Sequence, residues 1–280
     1  MSKNLKICFD RVVPPEDLPD HGKAHKDAVS AYNDHVRKTL QKKGMPAGIH
    51  LTHEDVHSVL PDLNADADVQ AARMAIINLK AWDKGHALRC RFLDGSPTQR
   101  KRVEEKAHMW EKYANVKVVF GDDTKAEVRI SFVADPGSWS ALGKDCLVTK
   151  FFPKNEPTMN YGWLEDNTED DEYERVVVHE FGHALGCIHE HQSPKVTLNW
   201  DKDAVYKEFS GPPNNWSKAD IDFNILQKYS PNGITSTNFD DKSIMLYQFD
   251  AELFTDKKPT PLNKHLSKKD ESMIGKMYPQ

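Results

Sequence analysis

Apolar residues recur at helical spacing in two early stretches of the chain. Across residues 20–43 they fall at Ala24, Ala28, Tyr32, Val36 and Leu40, with Gly44 as a stop. Across 66–82 they fall at Val69, Ala72, Ile76 and Leu79, ahead of Asp83-Lys84-Gly85. Both stripes are narrow, and the segment between them is rich in Pro, Gly and Asp, which reads as a loop with one short helix. From about Gly85 the pattern changes. Residues 87–92 read as a short strand. Asp94-Gly95-Ser96-Pro97 then turns into a helix with Val103, Ala107, Trp110 and Ala114 on one face. Strands are predicted at 116–120 and 127–133, the second alternating apolar and polar, then an irregular stretch from Gly137 and a further strand within 157–162. Residues 167–171 offer caps and negative charge for a helix that runs through His179 and His183. A long loop-rich tract follows, and Ser267 with Asp270 caps a last helix to about Met277.

This division suggests a helical N-terminal segment over 1–84 and a main domain over 85–280. The 280 residues carry 38% hydrophobic and 29% charged side chains, enough for a core under a polar surface. A formal net charge of −5 gives no electrostatic case for nucleic acid. No apolar run approaches a membrane span. The first thirty residues lack the apolar stretch of a signal peptide, so a cytoplasmic location or a non-classical export route is expected. Cys8, Cys90, Cys146 and Cys187 show no CxxC or repeated spacing, and four free thiols are expected.

The chemistry concentrates in residues 179–190, HEFGHALGCIHE. His179 and His183, four apart on a helix, point from one face and reach one metal ion. Gly186 permits the positive φ that takes the backbone off the helix and brings His189 back as a third nitrogen ligand. Three protein ligands leave a fourth tetrahedral position for water, the pattern of a catalytic zinc site. Glu180 stands where a carboxylate can take that water's proton. A second HExxH, at 53–57, lacks the glycine turn and a third histidine. Pro61 ends its helix a turn later, and Thr52 with Asp55 reads as a capping box on a surface helix.

Ser243-Ile244-Met245-Leu246-Tyr247, some fifty-five residues on, is by itself an apolar run. Beside the long histidine motif, with Glu190 directly after the third histidine, it looks like the Met-turn of metzincin peptidases. The chain resembles the astacin-like metallopeptidases, and more closely the short microbial zinc peptidases of that clan. The strings LRCRFLDG at 88–95, GSWS at 137–140, TMN at 158–160 and HEHQSP at 189–194 carry the resemblance, which covers about residues 80–280.

The resemblance implies an α+β fold with a small twisted mixed sheet, an active-site helix, a Met-turn and a C-terminal helix. It implies one zinc ion on His179, His183 and His189, and Glu180 as general base. Tyr247 takes the place of a switchable metal ligand that also holds the oxyanion. Gly186, Glu190 and Met245 become structural residues beside the site. Trp139, Thr158, Met159, Asn160 and Tyr161 become substrate-binding residues, with 158–161 as an edge strand to which an extended peptide or protein substrate adds. A zinc endopeptidase acting as a monomer is therefore expected. The alternative is a zinc-binding module of weak or no activity whose N-terminal segment mediates an interaction. The chain departs from animal astacins in lacking ExxRxDR after the third histidine, the FxGD prosegment motif and the paired disulfide cysteines. Residues 1–84 are either an inhibitory prosegment or a packed appendage.

Overall fold

A computed structural model describes residues 9–13, 80–134, 137–212, 214–228 and 238–280, together with Ser30, Asp34, Lys38 and Gln41, which are helical and exposed. These four positions fit the helix expected over 20–43 and lie off its apolar stripe. The rest of that helix, the stretch 66–79, the HExxH at 53–57 and Cys8 lie outside the described residues. Residues 80–82, expected to finish the second helix, are turn and irregular backbone instead.

The elements are β1 (Phe9–Arg11), β2 (Ala87–Phe92), α1 (Pro97–Ala107), β3 (Lys117–Phe120), β4 (Val128–Ser131), β5 (Trp139–Ala141), β6 (Met159–Asn160), α2 (Asp170–Ala184), α3 (Lys202–Ser210), α4 (Lys218–Ile221) and α5 (Lys268–Met277). Strand β2 forms as expected, its Leu88 and Cys90 turned into the core. Helix α1 starts at a reciprocal cap: Ser96 Oγ accepts from the Gln99 N–H at 3.1 Å, and Gln99 Oε1 accepts from the Ser96 N–H at 2.7 Å. Pro97 fills the first turn, where its missing N–H costs nothing. The predicted stripe of Val103, Ala107, Trp110 and Ala114 is buried.

One six-stranded mixed sheet runs in the order β1-β5-β6-β4-β2-β3. Strands β2, β3, β4 and β6 are mutually parallel, with Leu88 opposite Val118, Cys90 opposite Val128 and Ile130 opposite Met159. Strand β5 is antiparallel to β6, and β1 pairs parallel to β5. Two expectations change here. Residues 139–141 form a strand rather than irregular backbone. Strand β4 is buried at all four positions instead of alternating, because its polar side chains are satisfied internally. Arg129 donates to the carbonyls of Glu156 at 2.7 Å, Phe152 at 3.1 Å and Pro153 at 3.2 Å, and Ser131 Oγ donates to Asn160 Oδ1 at 2.7 Å.

Helix α2 packs on α1 and β5. Its residues from Val176 to Ala184 are all buried, so this helix runs through the domain and not along its surface. Asp170, Asp171 and Glu172 place negative charge in its first turn as expected, but the cap position falls to Glu169, which makes no side-chain cap bond. Helix α3 stands in the tract expected to be loop. Asp201 caps it through the Ala204 N–H, and Val205 and Phe209 bury one face.

The last carbonyls of α2 would be orphans in a buried location. Two aromatic side chains satisfy them. Trp82 Nε1 donates to the Ala184 carbonyl at 2.8 Å, and Tyr278 Oη donates to the Leu185 carbonyl at 2.6 Å while accepting from the Trp82 N–H at 3.1 Å. The residues that open and close the domain thus grip the end of the helix that carries the histidines. Replacing Tyr278 by Phe leaves the Leu185 carbonyl and the Trp82 N–H without this partner, at a cost of about 1–3 kcal/mol. Urea unfolding should show the lower midpoint, and an unchanged midpoint would contradict this role.

Candidate metal centre and active site

Helix α2 ends in a turn made by one residue. Gly186 has φ +94°, its N–H bonds the His183 carbonyl at 2.8 Å, and the Cys187 N–H returns to the Gly182 carbonyl at 2.9 Å. This closure reverses the chain and brings His189 to face the helix. The Nε2 atom of His183 then lies 3.1 Å from Nε2 of His179 and 3.0 Å from Nε2 of His189. A tetrahedral zinc with nitrogen ligands at ~2.0–2.1 Å separates them by roughly 3.3 Å. All three rings are buried, and their ligand atoms lie within 4.8 Å of one another.

The tautomers are set from outside. His179 Nδ1 lies 2.8 Å from the Ile244 carbonyl, and His183 Nδ1 lies 2.8 Å from the Cys187 carbonyl. A carbonyl only accepts, so both Nδ1 atoms carry the proton and both Nε2 lone pairs face the centre. Gln192, three residues after His189, is held through its amide nitrogen by the Phe223 carbonyl at 2.8 Å. Burial holds the protonation of His179 and His189 well below the ordinary histidine range, so both stay neutral, as metal ligands must. The donor set fits one zinc ion.

The turn around Met245 lies against this helix. A Cβ on Gly182 would come within 2.5 Å of Met245 Sδ, so glycine there lets the methionine approach the backbone between the ligands. Glu190 bridges the same two segments: its N–H donates to the Met245 carbonyl at 3.0 Å, and its carboxylate accepts from the Asp240 N–H at 2.8 Å. Burial raises the Glu190 pKa to about 7, which suits a structural carboxylate. Sequence reasoning missed one member. Asp270, read as a helix cap, also accepts from Ser243 Oγ at 2.7 Å and from the Ile244 N–H at 2.8 Å. It therefore positions the carbonyl that orients His179. A capping motif shows the local bonds of a side chain but not a partner twenty-six residues away.

Glu180 is fully buried on α2, directly after His179. The Tyr247 ring is buried too, with centroids 4.3 Å from His189 and 5.5 Å from His179. The structure thus brings His179, Glu180, His183, Gly186, His189, Glu190, Met245 and Tyr247 together. The edge-strand expectation for 158–161 is corrected. Strand β6 lies between β5 and β4, so its backbone groups are already used: the Thr158 carbonyl accepts from the Ala141 N–H at 2.8 Å, and the Tyr161 N–H donates to the Ser131 carbonyl at 2.9 Å. Thr158, Met159, Asn160 and Tyr161 are all buried. Strand β5, with Trp139, forms the outer edge of the domain's own sheet and packs on α2. Cys90, Cys146 and Cys187 are free and buried, as expected.

The family model for the astacin peptidases matches residues 76–278. The chain belongs to the astacin family. Two solved structures of myroilysin are similar to it. One has 38% identity and a TM-score of 0.69, covering 73% of this chain and 98% of the other. The second has 39% identity and a TM-score of 0.58, covering 72% and 86%. High choriolytic enzyme 1, a hatching enzyme zinc-protease from the medaka fish Oryzias latipes, matches at 19% identity and a TM-score of 0.44, over 71% and 94%. Among curated proteins, none matches. Membership of the astacin family places the chain among zinc metallopeptidases, hydrolases of peptide substrates, and the His179–His183–His189 set is its zinc site. Among the described residues, no helix is long and apolar enough to cross a membrane.

A Cβ at Gly186 would meet nothing closer than 3.7 Å, so the cost of Gly186→Ala is backbone strain alone, about 1–2 kcal/mol. Relaxation of that strain moves His189. Titration of zinc into the metal-free variant should show an affinity at least several-fold weaker than in the unaltered protein. Equal affinity would contradict the role of the turn.

Proposed function

We propose that this protein is an endopeptidase that hydrolyses internal peptide bonds with Glu180 as general base. The observation that supports this reading is the buried carboxylate of Glu180 one residue after a zinc ligand, where a purely structural site would need no base. Zinc, when bound, polarises the scissile carbonyl and brings the pKa of a coordinated water to ~7. Glu180 takes the proton of the attacking water and then delivers a proton to the leaving amine. The Tyr247 hydroxyl, carried on a ring packed against His189 and His179, donates to the developing oxyanion. The Ile244 and Cys187 carbonyls hold the lone pairs of His179 and His183 in place throughout.

In this reading the described part of the N-terminal segment covers the β5 edge through β1 and is held by a buried anchor. The Val13 N–H donates to Asp145 Oδ2 at 2.8 Å, and Lys80 Nζ reaches the same oxygen at 2.7 Å and the Val13 carbonyl at 3.1 Å. A non-catalytic zinc module is the weaker reading, since it leaves Glu180 and Tyr247 without a task.

Glu180→Gln should keep one zinc per chain and lose at least about a hundred-fold in casein hydrolysis, within the range for removal of a general base. Undiminished hydrolysis by that variant would contradict the assignment. Tyr247→Phe should lower kcat by about ten- to a hundred-fold with little change in KM. An unchanged kcat would remove the tyrosine from the mechanism.

A further inference from the structure

Strand β1 shows what an extended chain meets on the β5 edge. Phe9, Asp10 and Arg11 lie opposite Trp139, Ser140 and Ala141. From beside Ala141, Arg11 reaches back across the strand, and its guanidinium carbon lies 3.7 Å from the centroid of the Trp139 ring. Trp139 is stacked in turn on Phe152, with centroids 6.4 Å apart. Partial burial lowers the pKa of this guanidinium, and the negative charge of Glu156 offsets part of that cost. Arg11 itself remains exposed to solvent, so this is a surface subsite and not a sealed core contact.

The walls of that subsite are fixed without β1. Arg129 donates to the carbonyls of Phe152, Pro153 and Glu156, and so locks the 152–156 loop to the buried strand β4. An aromatic face backed by a second ring, with a carboxylate beside it, is a cation-binding arrangement that favours guanidinium over neutral side chains. A carboxylate side chain placed there would meet both the negative ring face and Glu156.

We propose that Trp139, Phe152 and Glu156 form a specificity subsite for a basic side chain, Arg or Lys, of a peptide substrate paired along β5, and that Arg11 fills this subsite in the intact chain. The inference rests on the peptidase reading and deepens it by naming a substrate class. A substrate strand competes with β1 for the same edge, and its basic side chain takes the place of Arg11 on the Trp139 ring.

Two measurements on the intact zinc-loaded protein test this. Hydrogen–deuterium exchange at residues 9–13 does not depend on turnover. Arg11→Ala and Glu156→Gln should each speed it by about two- to five-fold, the loss expected of an exposed cation–π and charge contact, and Arg11→Lys should restore part of the protection. Exchange unchanged in both variants would overturn the subsite. A mixed peptide library, digested to the same extent as a casein control, should show Arg and Lys enriched about three-fold at one fixed distance from the scissile bond. Glu156→Gln should reduce that enrichment, and Glu156→Lys should invert it in favour of acidic residues. Casein cleavage without a basic preference would overturn the subsite alone. No casein cleavage at all would overturn the peptidase reading, and the subsite with it.

Discussion

Three buried imidazole nitrogens, that of His183 3.0–3.1 Å from each of the other two, form the constraint on which the rest of this structure depends. Lone pairs held this close repel one another, and burial strengthens the repulsion. The arrangement is favourable only with a cation shared between them and with each ring's other nitrogen tied down. The fold can be read outward from that requirement. Helix α2 must be buried all round because two of the rings leave one of its faces and the Met245 turn packs on it between them. A helix in that position needs partners for its terminal carbonyls, and Trp82 and Tyr278 supply them from the two ends of the domain.

The second consequence concerns how orientation is transmitted. His179 is held by the Ile244 carbonyl, the Ile244 N–H by Asp270, and Asp270 by the reciprocal cap at the start of α5. A surface-helix cap is thereby linked through one turn to a metal ligand. The Glu190 N–H and carboxylate tie the exit of the metal motif to the Met245 carbonyl and to Asp240, and Asp240 accepts from Ser267 at 2.5 Å. The Met245 turn and the last helix therefore support the ligand frame, although no residue of that helix touches the centre. The sheet contributes differently. Its β5 edge lies along α2 and presents backbone groups and the Trp139 ring to any extended chain, and β1 already uses them.

Much of this was legible in the sequence where the signal is local. The positive φ of Gly186, the convergence of three histidines, the Ser96 and Ser267 caps and the α1 stripe all follow from spacing within a dozen residues. What spacing could not supply was strand order. Residues 158–161 look like an exposed strand, yet they lie inside the sheet because β5 folds back antiparallel beside them. The 139–141 strand is too short to show alternation. The polar positions of β4 suggest a half-exposed strand, but Arg129 and Ser131 are buried because loop carbonyls and Asn160 accept their hydrogen bonds. Helix α3 carried a readable signal, Asp201 followed by Val205 and Phe209, in a tract whose overall composition suggested loop. The second role of Asp270 arises only from tertiary contact.

The account stands on one metal ion shared by three neutral imidazoles. Zinc K-edge X-ray absorption on the intact protein, with metal content measured on the same sample, tests this most directly. The expected result is one zinc per chain with three imidazole nitrogens at about 2.0–2.1 Å. Zinc well below one per chain, or a coordination shell with fewer than three imidazoles, would contradict it.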